Sequence, residues 1–319
     1  MAAKNNSNEI HITRVYDAPL KTVWDAWTDP KQVAQWWGPR GFTLTHHSKD
    51  LRVGGTWKYT MHGPDGTDWP NITQYLEVEP PARSGSAKLV YDHGGNENQP
   101  PLFRVTVLFS EVAGKTKMEM TMGLATVEAA EETRRFIKKA GGDSTWDRLA
   151  EYLEKDSSGK EKFVIARAFD VALDKMFELW TNPQHLQRWM PPTGSLMTFE
   201  QADIRTGGKS TYTMTGVNGT MYGRAEYLQI EKPHRIVYLQ QFCDEQGNIS
   251  RHPLAPTWPE TMLTSVTLMA EGPQRTRVSL SWEPYGAVKP EELQTFISAR
   301  AGMSQGWTGS FDKLDELLE

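Results

Sequence analysis

The sequence predicts an α+β protein built from two tandem copies of one domain. Each copy is expected to be a curved antiparallel sheet of about seven strands wrapped round a long C-terminal helix, with two short helices near its start. Three observations predict this. The 319 residues suffice for about two domains. Adding 153 to a residue number in the first half finds its partner in the second. The order of elements within each half is then the same.

The repeat is read directly from the residues. Ile12, Arg14 and Asp17 match Ile165, Arg167 and Asp170, and Trp27, Thr28 and Pro30 match Trp180, Thr181 and Pro183. Trp36 and Pro39 match Trp189 and Pro192. Asp50, Arg52, Gly54 and Gly55 match Asp203, Arg205, Gly207 and Gly208, and Tyr59, Thr60, Met61 and Gly63 match Tyr212, Thr213, Met214 and Gly216. The register slips by one near Tyr75 and Tyr227 and by more in the loops beyond. The polar run Lys155 to Lys160 reads as a linker, giving domains at 1–155 and 156–319.

Each copy opens on a strand, Glu9 to Tyr16 and Glu161 to Phe169. Asp17-Ala18-Pro19 then starts a helix, with Asp on the cap side and Pro in the first turn. Val23, Trp24 and Trp27, like Met176, Phe177 and Trp180, recur at helical spacing. Asp29-Pro30 and Asn182-Pro183 end that helix and start a second. Period two follows: Trp57, Tyr59 and Met61 alternate with threonines and lysine, as do Tyr212 and Met214. Gly54-Gly55 and Gly207-Gly208 supply the turn before these strands. Further strands are expected at Leu76–Glu79, Ala87–Tyr91, Leu102–Ser110 and Lys117–Met122. Their counterparts are Tyr227–Ile230, Arg235–Phe242, Met262–Ala270 and Arg277–Trp282. Leu293, Phe296, Ile297, Met303, Trp307, Phe311, Leu314 and Leu318 form one stripe of a terminal helix. One helix covers only part of a seven-stranded sheet, so the sheet must curl around it and leave a cavity between them.

Composition narrows the function. A net charge of −5 argues against nucleic acid, whose phosphates call for clustered Lys and Arg. No apolar run is long enough for a membrane span, and the first residues lack the apolar stretch of a secretory signal. The one cysteine, Cys243, fits a reducing compartment, so a cytoplasmic location is expected. Twelve Trp, eleven Phe, ten Tyr and thirteen Met can fill two cores or line an apolar site.

The segments Arg14 to Pro19, Trp27 to Pro30, Trp36 to Phe42 and Asp50 to Gly55 resemble the activator of heat-shock-protein ATPase-like family. That family is part of the START-like (SRPBCC) superfamily. In the second copy Arg167, Trp180 to Pro183, Trp189 to Pro192, Arg205 to Gly208, Gly306-Trp307 and Phe311 to Leu314 carry the same resemblance. It implies the helix-grip fold in both copies and the binding of apolar molecules, with cyclases and hydrolases among the superfamily's members. Copy one departs from the pattern: it has Gly141-Gly142 where the family has Gly-Trp. Trp146 then refills the space, or the helix kinks at the glycines. Met190 stands for Trp37 and Ser210 for Trp57, so two cavities bounded by these positions would differ in volume.

Candidate chemistry is sparse. No HExxH, CxxC, GxSxG or phosphate-cradling glycine loop occurs, so no catalytic residue, metal or cofactor is expected. His46 and His47 are neighbours on a strand, with rings on opposite faces, and are read as surface residues. Asp50 with Arg52, and Asp203 with Arg205, either anchor a polar ligand head or pair on the surface beside the turn. Arg14 and Arg167 read as ties between the first strand and the helices. By alternation, the ligand-binding candidates are Trp37, Tyr59, Met61, His62, Trp69, Phe103 and Trp146 in copy one. Those of copy two are Tyr212, Met214, Tyr222, Trp258, Trp282 and Trp307. The leading expectation is non-catalytic binding of a small apolar or aromatic molecule. The alternatives are a cyclase- or hydrolase-type enzyme with His62 or Tyr59 as acid–base, and a co-chaperone-like module with a chaperone partner.

Overall fold

The computed structural model describes residues 7–94, 100–139, 144–158, 161–217 and 219–318. The chain divides into two compact units, residues 1–157 and 158–319. Where the sequence suggests a linker from Lys155, the last helix of the first unit continues through Ser158.

In unit one, strand β1 (Glu9–Tyr16) is followed by helices α1 (Leu20–Thr28) and α2 (Pro30–Trp36). Strands β2 (Thr43–Lys49), β3 (Thr56–His62), β4 (Asp68–Glu79), β5 (Ser86–Gly94), β6 (Phe103–Val112) and β7 (Lys115–Gly123) come next. Helices α3 (Val127–Lys139) and α4 (Ser144–Ser158) close the unit. The sheet order is β1-β7-β6-β5-β4-β3-β2, antiparallel throughout.

Unit two repeats the order with β8 (Phe163–Phe169), α5 (Leu173–Thr181), α6 (Pro183–Trp189), β9 (Leu196–Ala202), β10 (Lys209–Gly216), β11 (Gly219–Glu231) and β12 (Arg235–Cys243). It adds the two-residue β13 (Ile249–Ser250), then β14 (Met262–Gly272), β15 (Arg275–Pro284), α7 (Pro290–Ser298) and α8 (Arg300–Leu318). Its sheet runs β8-β15-β14-β12-β11-β10-β9, with β13 paired to β12.

Local causes are visible in the caps and bulges. Asp29 accepts the amides of Lys31 and Gln32 at 2.8 and 3.0 Å, and Asn182 accepts that of Gln184 at 3.0 Å, each with proline in the first turn. Such a cap replaces an amide partner that the helix itself cannot supply. The caps of the preceding helices differ from expectation: Pro19 and Ala172 occupy the cap positions, with no side-chain bond. Gly54 and Gly207 each have φ of +80°, which a side chain would strain. Bulges at Leu76, between Tyr75 and Glu77, and at Leu228, between Tyr227 and Gln229, bend the two sheets at equivalent places.

The terminal helix of unit two is interrupted. α7 ends at Ser298 and α8 restarts at Arg300, although Ala299 between them is a strong helix former. The expected stripe survives the break, with Phe296, Met303, Trp307, Phe311 and Leu314 all buried. The kink considered at Gly141-Gly142 lies outside the described residues. Trp146 nevertheless stands in its expected place, stacked on Trp27 at 5.7 Å and 11°. Trp307 stacks on Trp180 at 6.2 Å and 16°, so these two tryptophans hold the same position in the repeat.

Candidate functional site

The inward faces of the two sheets can be superposed through their strand registers. In unit one Tyr75 lies opposite Tyr91, Tyr91 opposite Val105, and Val105 opposite Met122. In unit two Tyr227 lies opposite Tyr238, Tyr238 opposite Thr264, and Thr264 opposite Trp282. Tyr59 and Tyr212 complete a set of three inward tyrosines in each copy. Burial raises the pKa of all six hydroxyls, which disfavours the phenolate.

Large rings fill the interior of unit one beside Tyr59. Trp57 stacks on Tyr59 with centroids 4.0 Å apart. The Trp37 indole N–H donates to the Tyr59 hydroxyl at 3.3 Å, and Trp37 also packs 5.4 Å from Trp57 and 5.3 Å from Trp36. Lys49 closes this cluster: its ammonium donates to the Trp27 carbonyl at 2.9 Å and lies 4.2 Å from the Trp57 ring centre. Burial lowers the Lys49 pKa to about 7 against the pull of Asp29.

Unit two lacks these groups. Met190 replaces Trp37, Ser210 replaces Trp57, and Ala202, opposite Ser210 as Lys49 is opposite Trp57, replaces Lys49. Tyr212 therefore takes a different donor, Nε2 of Gln240 at 2.9 Å. Ser210 is itself buried and donates to the Tyr227 hydroxyl at 3.3 Å.

Beyond Gln240 lies a cavity of about 310 Å³, at the lower end of the ~300–1,000 Å³ typical of small-molecule sites. Its aromatic walls are Phe242, Trp258, Trp282 and His252, with Met262 beside them. Thr295 of α7 and Ala299, at the break between α7 and α8, also border it. The loop that carries Trp258 is pinned by Arg251. Its guanidinium donates to the Trp258 carbonyl at 3.0 Å and to the buried Glu292 of α7 at 2.7 Å. The Glu292 carboxyl is held below its usual range by the Lys289 amide and by Arg251. The registers place His93, Phe103 and Met122 of unit one where unit two has Gln240, Met262 and Trp282. There His93 stacks on Phe103 at 4.8 Å, and burial lowers the imidazole pKa to about 4.

Of the residues nominated from sequence, Trp258 and Trp282 border the cavity. Tyr212 is one hydrogen bond behind Gln240, and Trp307 packs 5.6 Å from Trp282. Met214 is half-buried on the inward face of β10 and does not reach the cavity wall. In unit one, Trp37, Tyr59 and Trp146 belong to the packed cluster. Met61 packs against it, with Gly38 beside its sulfur, and Phe103 covers His93. Trp69 lies opposite Met61 at the open end of the sheet and is 46 % exposed.

Two nominations fall on the wrong face. Tyr222 alternates with the buried Gly223 and so points away from the interior. The hairpin before it is short, with Gly216 opposite Gly219, whereas unit one has five residues between His62 and Asp68. Met221, opposite Met214, therefore takes the place of Trp69, and a one-residue slip reverses the face. His62 alternates with inward Met61 and faces outward, bonded to Asp68 at 2.6 Å and Thr45 at 2.7 Å. Both bonds lie on the outer face, away from the interior on which an acid–base role would depend.

The acid–arginine pairs also lie on the surface. Arg52 donates to Asp50 at 2.7 Å and Arg205 to Asp203 at 2.9 Å, with the arginine side chains 78 % and 74 % exposed. Arg167 does tie its strand to the last helix, through Asp312 at 2.6 Å and Asp315. Arg14 is buried in the corresponding strand. Cys243 is buried and its thiol pKa raised by desolvation, so it is poorly disposed to react. Among the described residues, no group of three or more His, Cys, Asp or Glu could hold a metal ion, and no helix is long and apolar enough to cross a membrane.

Sequence reasoning missed Gln240, His252 and Thr295. They lie where the simple repeat offset fails, and only the strand register reveals Gln240 as the twin of His93.

Comparison with known proteins agrees with the duplicated architecture. The family described as Activator of Hsp90 ATPase homolog 1-like protein matches residues 17–154 and again 170–319. Comparison with curated proteins found no match. Among solved structures, a protein from Mycobacterium smegmatis is 23 % identical, covering 50 % of this chain and 92 % of its own, with a TM-score of 0.43. One from Arthrobacter aurescens is 24 % identical over 49 % of this chain and 91 % of its own, with a TM-score of 0.42. BexL, a di-domain ARO/CYC protein of the BE-7585A biosynthetic pathway, is 12 % identical, covers 97 % of both chains and has a TM-score of 0.38.

Proposed function

Since the chain belongs to the Activator of Hsp90 ATPase homolog 1-like family over both of its units, we propose that it binds a small aromatic molecule without transforming it, and that unit two is the binding unit. The observation that carries this reading is the cavity of about 310 Å³ walled by Phe242, Trp258 and Trp282. Aromatic walls offer stacking and edge contacts worth about 0.5–1.5 kcal/mol per ring pair beyond area burial. The few polar ends at the wall fix orientation, as in most small-molecule sites. The reading takes no proton-transfer residue: His62 is on the outer face, and the inward tyrosines hold their protons. Cys243 is the one cysteine, and on that ground we place the protein in a reducing compartment, the cytoplasm.

The test is a fluorescence titration of the full chain with 2-acetylnaphthalene, in wild type and in Ala299→Phe. Ala299 borders the cavity, and a phenyl group there occupies it. Saturable binding lost in Ala299→Phe supports the reading. Absence of binding in wild type, or equal binding in both, overturns it.

A further inference from the structure

The cavity's polar ends have a defined hydrogen-bonding sense. The turn that follows β13 folds back at His252, and the His252 Nδ1 atom accepts the Leu254 backbone N–H at 3.0 Å. A neutral imidazole carries one proton, so accepting at Nδ1 places that proton on Nε2. The hydrogen bond to Leu254 uses Nδ1 alone; His252 is half-buried and borders the cavity, which leaves Nε2 open to water or to a ligand. The ring is held from the sides, with Phe242 at 4.6 Å and Trp258 at 6.3 Å between centroids. Burial keeps its pKa below the ordinary histidine value, so the neutral tautomer persists at neutral pH. Gln240, on the same wall, already spends its amide nitrogen on Tyr212.

We infer that the occupant of this cavity is a planar aromatic molecule bearing a carbonyl group, whose oxygen accepts the His252 Nε2–H. The inference rests on the binding role proposed above and names the ligand class of that same site. Aromatic rings pack against Trp258, Trp282 and Phe242, and the carbonyl supplies an acceptor for the imidazole Nε2–H. An all-hydrocarbon ligand of the same shape would cover the Nε2–H and leave it without a partner. A donor covered in that way loses its bond to water and gains nothing in exchange.

The experiment compares 2-acetylnaphthalene with 2-ethylnaphthalene, which has the same ring system and a similar substituent but no oxygen. Wild type is expected to favour the ketone by about tenfold. His252→Phe, which keeps a ring and removes the donor, is expected to bind the two equally. In the wild-type protein, nitrogen-15 NMR should show the His252 Nε2 resonance moving with the ketone and not with the hydrocarbon, a readout that does not depend on the variant folding. Equal affinity of wild type for both compounds, or a ketone preference that survives in His252→Phe, overturns the assignment to His252 while leaving the binding role intact. Binding of neither compound overturns the binding role and the inference together.

Discussion

The Lys49 ammonium lies 4.2 Å from the centre of the Trp57 ring, and the two residues face each other across β2 and β3. Their twins, Ala202 and Ser210, face each other in unit two. The charge and the indole are thus present together or absent together. A cation over an indole face gains from the ring quadrupole, more so when desolvated.

Lys49 makes the stability of unit one depend on pH. Burial lowers its pKa from 10.5 to about 7, so between these values the unfolded chain binds a proton that the folded chain does not. Stability therefore rises with pH across that window, and the cost of the buried charge is complete below it. Lys49→Met is expected to stabilise by about 1 kcal/mol at pH 6, after discounting for the partial exposure of the side chain. Its advantage should shrink toward pH 10. Urea titrations of both proteins at pH 6, 8 and 10 check this, and a pH-independent difference would refute it.

Exchanging the twin residues should harm both units, for opposite reasons. Trp57→Ser empties a site that is 3 % exposed and should cost about 3–5 kcal/mol. Ser210→Trp forces an indole into a site that is 1 % exposed and should cost about 1–3 kcal/mol or more. Chemical denaturation measures both.

Arg148 of α4 donates to the carbonyls of Gln35, Gly38, Pro39 and Phe42 at 3.3, 2.8, 3.0 and 3.2 Å. This one guanidinium anchors the end of α2 and the segment after it. Arg148→Met leaves those oxygens without a charged donor and should cost about 3 kcal/mol. Unit two replaces the anchor with Ser310 to the Met190 carbonyl at 2.8 Å and Lys313 to that of Pro191 at 2.7 Å. The double variant Ser310→Ala, Lys313→Met should therefore reproduce part of the loss, again read by urea unfolding.

Gly223 controls the cavity from behind. A Cβ there would meet the Tyr212 ring at 2.3 Å, so Gly223→Ala must displace Tyr212 and with it the bond to Gln240. We expect a cost of about 1–3 kcal/mol and weaker binding of 2-acetylnaphthalene. Unchanged affinity in a folded Gly223→Ala would separate Tyr212 from the site.

The architecture was legible because its signals are local and doubled. Asp29-Pro30 and Asn182-Pro183 mark the same helix start, and Gly54 and Gly207 the same turn. The site was legible only in part. Trp258 and Trp282 stand out by residue type, whereas Tyr222 was misplaced because the Gly216–Gly219 hairpin is shorter than its twin. His252 acquires its role from one backbone amide two residues on, a contact that composition and periodicity do not encode. The break at Ala299 likewise has no local signal.

The stacked pairs Trp27–Trp146 and Trp180–Trp307 have an optical consequence. Indoles packed this closely couple their intense far-ultraviolet transitions wherever the two transition dipoles are skewed, so each unit is expected to carry its own circular-dichroism signature. The second pair touches Trp282 on the cavity wall through Trp307, while the first belongs to a cluster with no part in that wall. A compound entering the cavity should perturb one signal and spare the other, so that the chain reports which of its halves has been occupied.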